Sequence, residues 1–226
     1  MALPTEIAAR RKADRAALIA RRLAASSADH AAWSARIEAH LRQAFRVLEG
    51  LTVGFCWPYQ GEFDARAFVR DLRRHGARAA LPVVLGKGLP LEFREWWPGV
   101  AMLNGVYDLP VPDGTQRVRP DAMLIPAVGI GPQGDRLGYG GGYFDRTLAS
   151  LHPKPVAIGI AFELSRMAVS EPQHHDVLMD FVVTEERIEA AVDGGLEAIA
   201  PDECQRRLQA LIDARGLRPR GLAARA

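Results

Sequence analysis

The feature that most constrains the fold is the order of three segments between residues 51 and 85. An apolar segment is followed by an amphipathic segment and then by a second apolar segment. Residues 51–56 and 78–85 are short and apolar, as buried strands are, and residues 64–75 have the pattern of a helix. A strand, a helix and a strand joined by brief connections form a βαβ unit with a right-handed crossover. We therefore predict an α/β fold built on a parallel sheet.

The rest of the chain continues this alternation. Further helices are predicted at 5–25, 28–48 and 142–151, and further strands at 121–128, 156–162 and 180–184. Residues 91–97 alternate weakly and predict an edge strand or a hairpin arm, whereas 104–120 are rich in Pro, Gly and Asp and predict a surface connection. The expected architecture is a three-layer α/β/α sandwich with about five mostly parallel strands.

The chain divides by composition near residue 186. Residues 1–186 contain the predicted N-terminal helices and the sheet, and we expect them to form one α/β domain. Residues 187–226 are rich first in Ala and Glu and then in Arg, which predicts a peripheral C-terminal extension of one or two helices.

Composition and charge exclude several classes of protein. No apolar run approaches the roughly 18 residues of a membrane span. The net charge is only +2, and the basic residues concentrated in 10–22 and 206–225 are typical of solvated helix faces, so nucleic acid is not an expected partner. Cys56 and Cys204 form no disulfide framework or zinc motif, which favours a reducing, cytoplasmic location, and Cys56 is read as a core residue. The oligomeric state is left open.

The first of two glycine groups after residue 128 fits G-x-G-x-x-G. Gly129, Gly131 and Gly134 satisfy that spacing, but no helix opens at the third glycine, as a dinucleotide site requires. Pro132 and the Gly134–Asp135 pair indicate a turn instead. A Walker A loop is also excluded, because no Lys-Ser/Thr follows the glycines.

The second group, Gly138, Gly140, Gly141 and Gly142, leads directly into a predicted helix. Bare backbone N–H groups at a helix N-terminus favour a bound phosphate, with Arg136 as a cationic partner and Asp145 as a metal ligand. The alternative is a tight strand-to-helix turn whose aromatic residues pack in the core.

Several segments resemble the 5-formyltetrahydrofolate cyclo-ligase family. Residues 136–145, RLGYGGGYFD, are similar to its signature R-L-G-x-G-x-G-Y-Y-D. The N-terminal RKADR, the turn WPYQGEFD, the strand LPV and the closing residues His175-Asp176, Met179-Asp180 and Thr184-Glu185 follow in the family's order. The resemblance covers about residues 10–186.

This resemblance implies the ATP-dependent conversion of 5-formyltetrahydrofolate to 5,10-methenyltetrahydrofolate, through phosphorylation of the formyl oxygen and attack by N10. The implied catalytic residues are Arg136 and Tyr143. The implied ATP-binding residues are Arg11, Arg15, Arg136, Leu137, Gly138, Tyr139, Gly140, Gly141, Gly142 and Tyr143. The implied folate-binding residues are Trp57, Glu62, Tyr139 and Tyr143, and a basic face of the first helix that includes Arg22 is expected to contribute to phosphate binding.

Magnesium is the implied metal, with Asp145 and Asp176 as ligands and Asp180 as a competitor for the second position. The chain departs from the family where Arg11 replaces the usual Lys and Phe144 replaces the second Tyr. Tyr139 and Gly141 stand where some relatives carry basic residues. These departures leave open a paralogue that binds folate or another substrate without this activity.

Overall fold

Eight strands form a single sheet in this computed structural model, which describes residues 4–217. The strands of the sheet are β1 (Thr52–Gly54), β2 (Arg78–Val84), β3 (Leu91–Trp96), β6 (Ala122–Pro126), β9 (Val156–Ile160), β10 (Phe181–Val183), β11 (Ile188–Val192) and β12 (Gly195–Ile199). Two small antiparallel ribbons lie outside it, formed by β4 (Met102–Asn104) with β5 (Pro110–Pro112) and β7 (Gly129–Ile130) with β8 (Arg136–Leu137).

The middle of the sheet is parallel. The strand order is β12-β11-β10-β9-β6-β1-β2-β3, and the five strands from β10 to β2 run in the same direction. Strand β3 is antiparallel to β2, and β11 and β12 form an antiparallel hairpin at the opposite edge. The predicted mostly parallel sheet is confirmed, although it has eight strands where about five were expected, and the edge strand predicted at 91–97 is also confirmed.

Helices cover both faces of this sheet. They are α1 (Pro4–Leu23), α2 (Ser27–Ala44), α3 (Arg66–Arg74), α4 (Tyr143–Ser150) and α5 (Pro201–Ala214). Neighbouring residues of β6 point to opposite faces, because side chains alternate along a strand. Leu124 packs in the core shared with α2, α3 and α5, whereas Met123 and Ile125 pack in the core that contains Leu148 of α4. This alternation produces the predicted three layers.

The C-terminal segment differs from the prediction of a purely helical, peripheral extension. Residues 188–199 form the hairpin of β11 and β12, joined by Asp193 and Gly194. Asp-Gly is a strong two-residue hairpin signal, and Gly194 has the positive φ of +88° that such turns favour. Helix α5 is present but buries Cys204, Leu208 and Ile212 in the main core. Residues 218–226 lie outside the described residues.

None of the helices within residues 4–217 combines the length and apolarity needed to cross a bilayer.

Candidate active site

A cavity of about 870 Å³ opens at the carboxyl ends of the parallel strands. Cys56 and Trp57 reach it just after β1, Val84 at the end of β2 and Pro126 at the end of β6. Ligands of open α/β sheets bind in this position, because the strand-to-helix loops converge there. The predicted site residues that line the cavity are Arg11, Arg15, Trp57, Glu62, Arg136, Gly138, Tyr139, Gly140, Gly141, Gly142, Tyr143, Asp145 and Asp176.

The glycine loop between β8 and α4 forms one part of the cavity wall. Gly140 and Gly142 have positive φ angles of +90° and +62°, and Gly142 is the N-cap of α4. A side chain at Gly141 would lie 2.6 Å from the ring of Tyr143. No acceptor among residues 4–217 takes a hydrogen bond from the backbone N–H of Gly140 or Gly141. The loop therefore presents unpaired donors beside the positive end of a helix dipole.

Gly129, Gly131 and Gly134 form a turn, as expected from their neighbours. They lie in and after β7, and the backbone N–H of Gly131 donates to the carbonyl of Asp135. A Cβ at Gly131 would meet the Asp135 carboxylate at 2.1 Å. The close approach of that side chain explains this glycine without a dinucleotide.

Two arginines of helix α1, Arg11 and Arg15, line the cavity. Arg15 donates from Nε to the carbonyl of Gly138 at 2.6 Å, and Arg11 donates to the carboxylate of Asp176 at 2.7 Å and 3.3 Å. Burial, with the nearby charge of Arg11, lowers the pKa of Arg15. These positions agree with the predicted arginine face of the helix.

Arg22, the third arginine of that face, does not join a phosphate-binding stripe. Its side chain is buried, and it donates to the carbonyls of Gln60 and Ala127 and to the hydroxyl of Tyr139. Arg22 is not among the residues that line the cavity, so the structure does not place it with Arg11 and Arg15 at the predicted phosphate site.

Arg136 and Asp145 form a buried ion pair on the cavity wall. Both guanidinium ends donate to the carboxylate, at 2.9 Å and 3.2 Å, and the side chains are only 5% and 13% exposed. The backbone N–H of Val177 also donates to Asp145. Burial raises the pKa of Asp145, but the hydrogen bonds and charge of Arg136 and the Val177 N–H outweigh it and hold the pKa below its usual value.

The two competing positions for a second metal ligand differ in place. Asp176 lines the cavity and accepts from Arg11 and from the backbone N–H of Gln173. Asp180 instead accepts from both ends of Arg215, at 2.9 Å and 2.6 Å, and from the N–H of Ala157. Asp180 therefore helps to attach the C-terminal helix α5. Of the two candidates for the second metal ligand, only Asp176 lines the cavity.

Glu62 is a buried carboxyl group that faces the cavity. It accepts from the Tyr139 hydroxyl at 2.7 Å and from the backbone N–H of Tyr59 at 2.9 Å. Burial raises its pKa, although both hydrogen bonds and the charge of Arg22 act in the opposite direction. Burial and the neighbouring charge of Glu62 likewise raise the pKa of Tyr139.

Aromatic side chains flank these polar groups. Trp57 lines the cavity beneath the guanidinium of Arg66, 4.3 Å from its ring centroid. Tyr143 is at the first position of α4, and its interaction with neighbouring Tyr107 raises the pKa of its hydroxyl. Arg146 lies 5.2 Å above the Tyr143 ring. Each ring therefore has an arginine against one face, where the positive charge meets the electron-rich side of the ring.

Several residues of the site were missed in the sequence. Val106, Tyr107, Leu109, Pro110 and Val111 line the cavity, although 104–120 was read as a surface connection. These residues belong to the β4–β5 ribbon and its connection, which pack against β2 and β3, and the local Pro and Gly content gives no signal for those tertiary contacts.

Two predicted positions differ in detail. Cys56 lines the cavity rather than lying only in the core, and burial raises the pKa of its thiol well above the usual value. Leu137 packs instead with Leu18 and Val128, so its side chain does not line the cavity.

The carboxylates suit a magnesium ion that arrives with a nucleotide. Within residues 4–217 there is no cluster of three or more His, Cys, Asp or Glu side chains for a resident metal. Magnesium commonly takes only one or two carboxylates, with phosphate oxygens and water as its other ligands. Asp145 and Asp176 provide that number, and each is paired with an arginine.

Fold and site together define an α/β protein with a glycine loop that lines a cavity at the carboxyl edge of its sheet. The model of the 5-formyltetrahydrofolate cyclo-ligase family matches residues 7–185. The chain belongs to this family of ATP-dependent ligases that form a carbon–nitrogen bond, as its signature segments predicted.

Named relatives agree with the family match. The chain is 34% identical over 150 residues to the 5-formyltetrahydrofolate cyclo-ligase of Mycolicibacterium smegmatis, which covers 62% of this chain and 76% of the relative. It is 29% identical over 144 residues to the Escherichia coli protein of the same name, covering 61% and 79%.

Two solved structures share the fold. The 5,10-methenyltetrahydrofolate synthetase of Aquifex aeolicus has a TM-score of 0.71 and 22% identity, covering 84% of this chain and 96% of its own. The synthetase from Mycoplasma pneumoniae has a TM-score of 0.64 and 23% identity, covering 77% and 98%.

Proposed function

We propose that this protein converts 5-formyltetrahydrofolate into 5,10-methenyltetrahydrofolate, consuming ATP and releasing ADP and phosphate. One observation carries the proposal: a single cavity is lined both by a glycine loop with arginines and by a buried carboxyl group with aromatic rings. The names of the relatives support the same reaction.

The chemistry requires an activated oxygen. The formyl group is an amide, and its oxygen is a poor leaving group. Transfer of the γ-phosphoryl group from ATP to this oxygen breaks the bond to ADP, and N10 then attacks the formyl carbon. The C–O bond breaks as phosphate departs, N10 gives up its proton to the departing phosphate, and the new C–N bond closes the ring. Such a transfer depends mainly on positioning and on stabilisation of charge.

The phosphate groups are assigned to the glycine loop and three arginines. The free N–H groups of Gly140 and Gly141 would donate to phosphate oxygens. Arg11, Arg15 and Arg136 supply positive charge from two directions, α1 and β8. Protein partners already orient these guanidinium groups, which limits the entropy lost when they bind phosphate.

The folate is assigned to the wall formed by Glu62, Trp57 and Tyr143. Glu62 would accept hydrogen bonds from N–H groups of the pterin, and the two rings would contact its faces. Tyr139 touches both regions, because it belongs to the glycine loop and its hydroxyl reaches Glu62. We assign Tyr143 a catalytic position with Arg136, since both lie beside the loop that would hold the transferred group.

Asp145 and Asp176 would hold Mg²⁺, which when bound would neutralise charge on the phosphate oxygens. Arg136 and Arg11 form ion pairs with these carboxylates and so also lie beside the proposed metal position.

The decisive experiment follows formation of the methenyl product by near-ultraviolet absorbance. We expect conversion only with 5-formyltetrahydrofolate, ATP and Mg²⁺ together, and none when either ATP or Mg²⁺ is omitted. Arg206→Gln, an exposed change on α5, should convert at the wild-type rate. Well-folded protein that shows no conversion would refute the proposal, and folate protection without ATP consumption would identify a binding paralogue instead.

A further inference from the structure

We propose that Arg22 and Tyr139 are positioning residues that hold the Glu62 carboxylate as a hydrogen-bond acceptor for the substrate. The inference rests on the proposed folate site, which it deepens. Arg22 Nη2 donates to Tyr139 Oη at 2.8 Å, and Tyr139 Oη donates to Glu62 Oε1 at 2.7 Å. The three groups come from α1, the glycine loop and the turn after β1, and they meet at the cavity.

The direction of the hydrogen bonds is fixed by chemistry. A guanidinium group has donors and no acceptor, so the Tyr139 oxygen must accept from Arg22. Its only proton then points to Glu62, which is therefore an acceptor at Oε1. Glu62 Oε2 accepts from the backbone N–H of Tyr59. Each carboxylate oxygen has a further lone pair, so Glu62 can still accept from a ligand in the cavity.

The hydrogen bonds from Arg22 through Tyr139 to Glu62 connect two buried groups of opposite charge. Arg22 is 3% exposed and Glu62 is 6% exposed, so both charges are removed from water. The other acceptors of Arg22 are the neutral carbonyls of Gln60 and Ala127. An isolated buried charge is costly, and the carboxylate reached through Tyr139 supplies the opposite charge.

Other charged and titratable groups surround Glu62 as well. Cys56 follows β1, and burial and the charge of Glu62 raise the pKa of its thiol, whereas the charge of Arg136 acts in the opposite direction. His30 of α2 hydrogen-bonds the carbonyl of Gly61, next to Glu62. Only Tyr139 gives the carboxylate a side-chain hydrogen bond, among the described residues.

Tyr139→Phe tests the proposal because it removes one oxygen and keeps the ring. The Glu62 carboxylate loses a donor, and its pKa should rise further above the usual value. We expect KM for 5-formyltetrahydrofolate to rise roughly tenfold, the loss typical of a hydrogen bond to a charged group, with kcat within about twofold. The acid limb of kcat/KM should move to higher pH, since binding requires the ionised carboxylate.

Tyr59→Phe is the matched control. Its ring packs 5.4 Å from the Tyr139 ring, and its backbone N–H still donates to Glu62 after the substitution. We expect the acid limb of this variant to stay at the wild-type pH. Arg22→Lys keeps the positive charge but has a different donor geometry. The acid limb of its kcat/KM profile should therefore lie between those of wild type and Tyr139→Phe.

Equilibrium binding of 5-formyltetrahydrofolate without ATP, measured across the same pH range, separates two failures. If wild type turns over but Tyr139→Phe keeps the wild-type KM and acid limb, the positioning role is overturned and the proposed function stands. A fall in kcat with KM unchanged also overturns it. If wild type binds folate without turnover, the proposed reaction fails, and the pH dependence of binding still decides the role of Tyr139.

Discussion

Replacing Asp145 by Asn leaves the buried Arg136 guanidinium without its charged partner, and this should lower stability as well as activity. Removing one member of a buried pair typically costs about 3–5 kcal/mol, because the other charge stays buried and uncompensated. The pair here is bidentate, with side chains 5% and 13% exposed. Asparagine keeps one acceptor oxygen, so we expect the free energy of unfolding to fall by about 3 kcal/mol, near the low end of that range.

Urea unfolding followed by tryptophan fluorescence measures this difference. The double variant Arg136→Met with Asp145→Asn should be less destabilised than the sum of the single variants, because no charge is then left alone. Arg206→Gln is the control, since it breaks an exposed pair with Glu203 and should change little. An unfolding free energy equal to wild type for Asp145→Asn would refute the buried-pair reasoning.

The difference in unfolding free energy between wild type and Asp145→Asn should also depend on pH. The pKa of Asp145 is lowered in the folded protein, despite burial, by Arg136 and the Val177 N–H. Its stabilising contribution is therefore complete above the unfolded pKa of about 4 and is lost as the pH falls through the lower folded value. The difference between wild type and Asp145→Asn should be constant from about pH 6 to 8 and shrink below about pH 4.

Three further changes probe the same cavity by other measurements. Asp176→Asn should raise the Mg²⁺ concentration needed for half-maximal activity, because one of two proposed ligands is lost; an unchanged Mg²⁺ titration would exclude that role. Gly141→Ala should lower kcat/KM at least tenfold, since its Cβ would lie 2.6 Å from the Tyr143 ring, whereas Gly138→Ala, with no atom within 4 Å of the new Cβ, should have a smaller effect. Maleimide should label Cys56 slowly at neutral pH because burial raises the thiol pKa, and bound folate should slow it further. Labelling at an unchanged rate with saturating folate would place the ligand elsewhere.

The parallel sheet could be predicted because its strands are short apolar runs separated by helical patterns. The hairpin at residues 188–199 was missed, although its signal was present in Asp193 and Gly194. The Ala and Glu residues of this segment are good helix formers and predict a helix locally. Strand pairing with β10 outweighed that local preference.

The site was predicted where family motifs and local spacing coincide. Asp145 and Gly140 lie in one continuous signature, and both line the cavity. Arg22 was misplaced because helical periodicity gives the face of a residue but not the acceptors that face will meet. Tyr107 was missed because its contact with Tyr143 crosses 36 positions and depends on the tertiary fold.

Helix α1 has a consequence for how the protein becomes active during synthesis. It precedes the other elements described in residues 4–217, yet Arg15 binds Gly138 and Arg11 binds Asp176, which are 123 and 165 positions later. During translation the helix must therefore wait, without its partners, until the segment around Asp176 has been made. Closing such long loops is entropically costly and slow. Completion of the cavity should consequently be a late event of folding, and a nascent chain with a formed β1–β2 unit would still lack a working site.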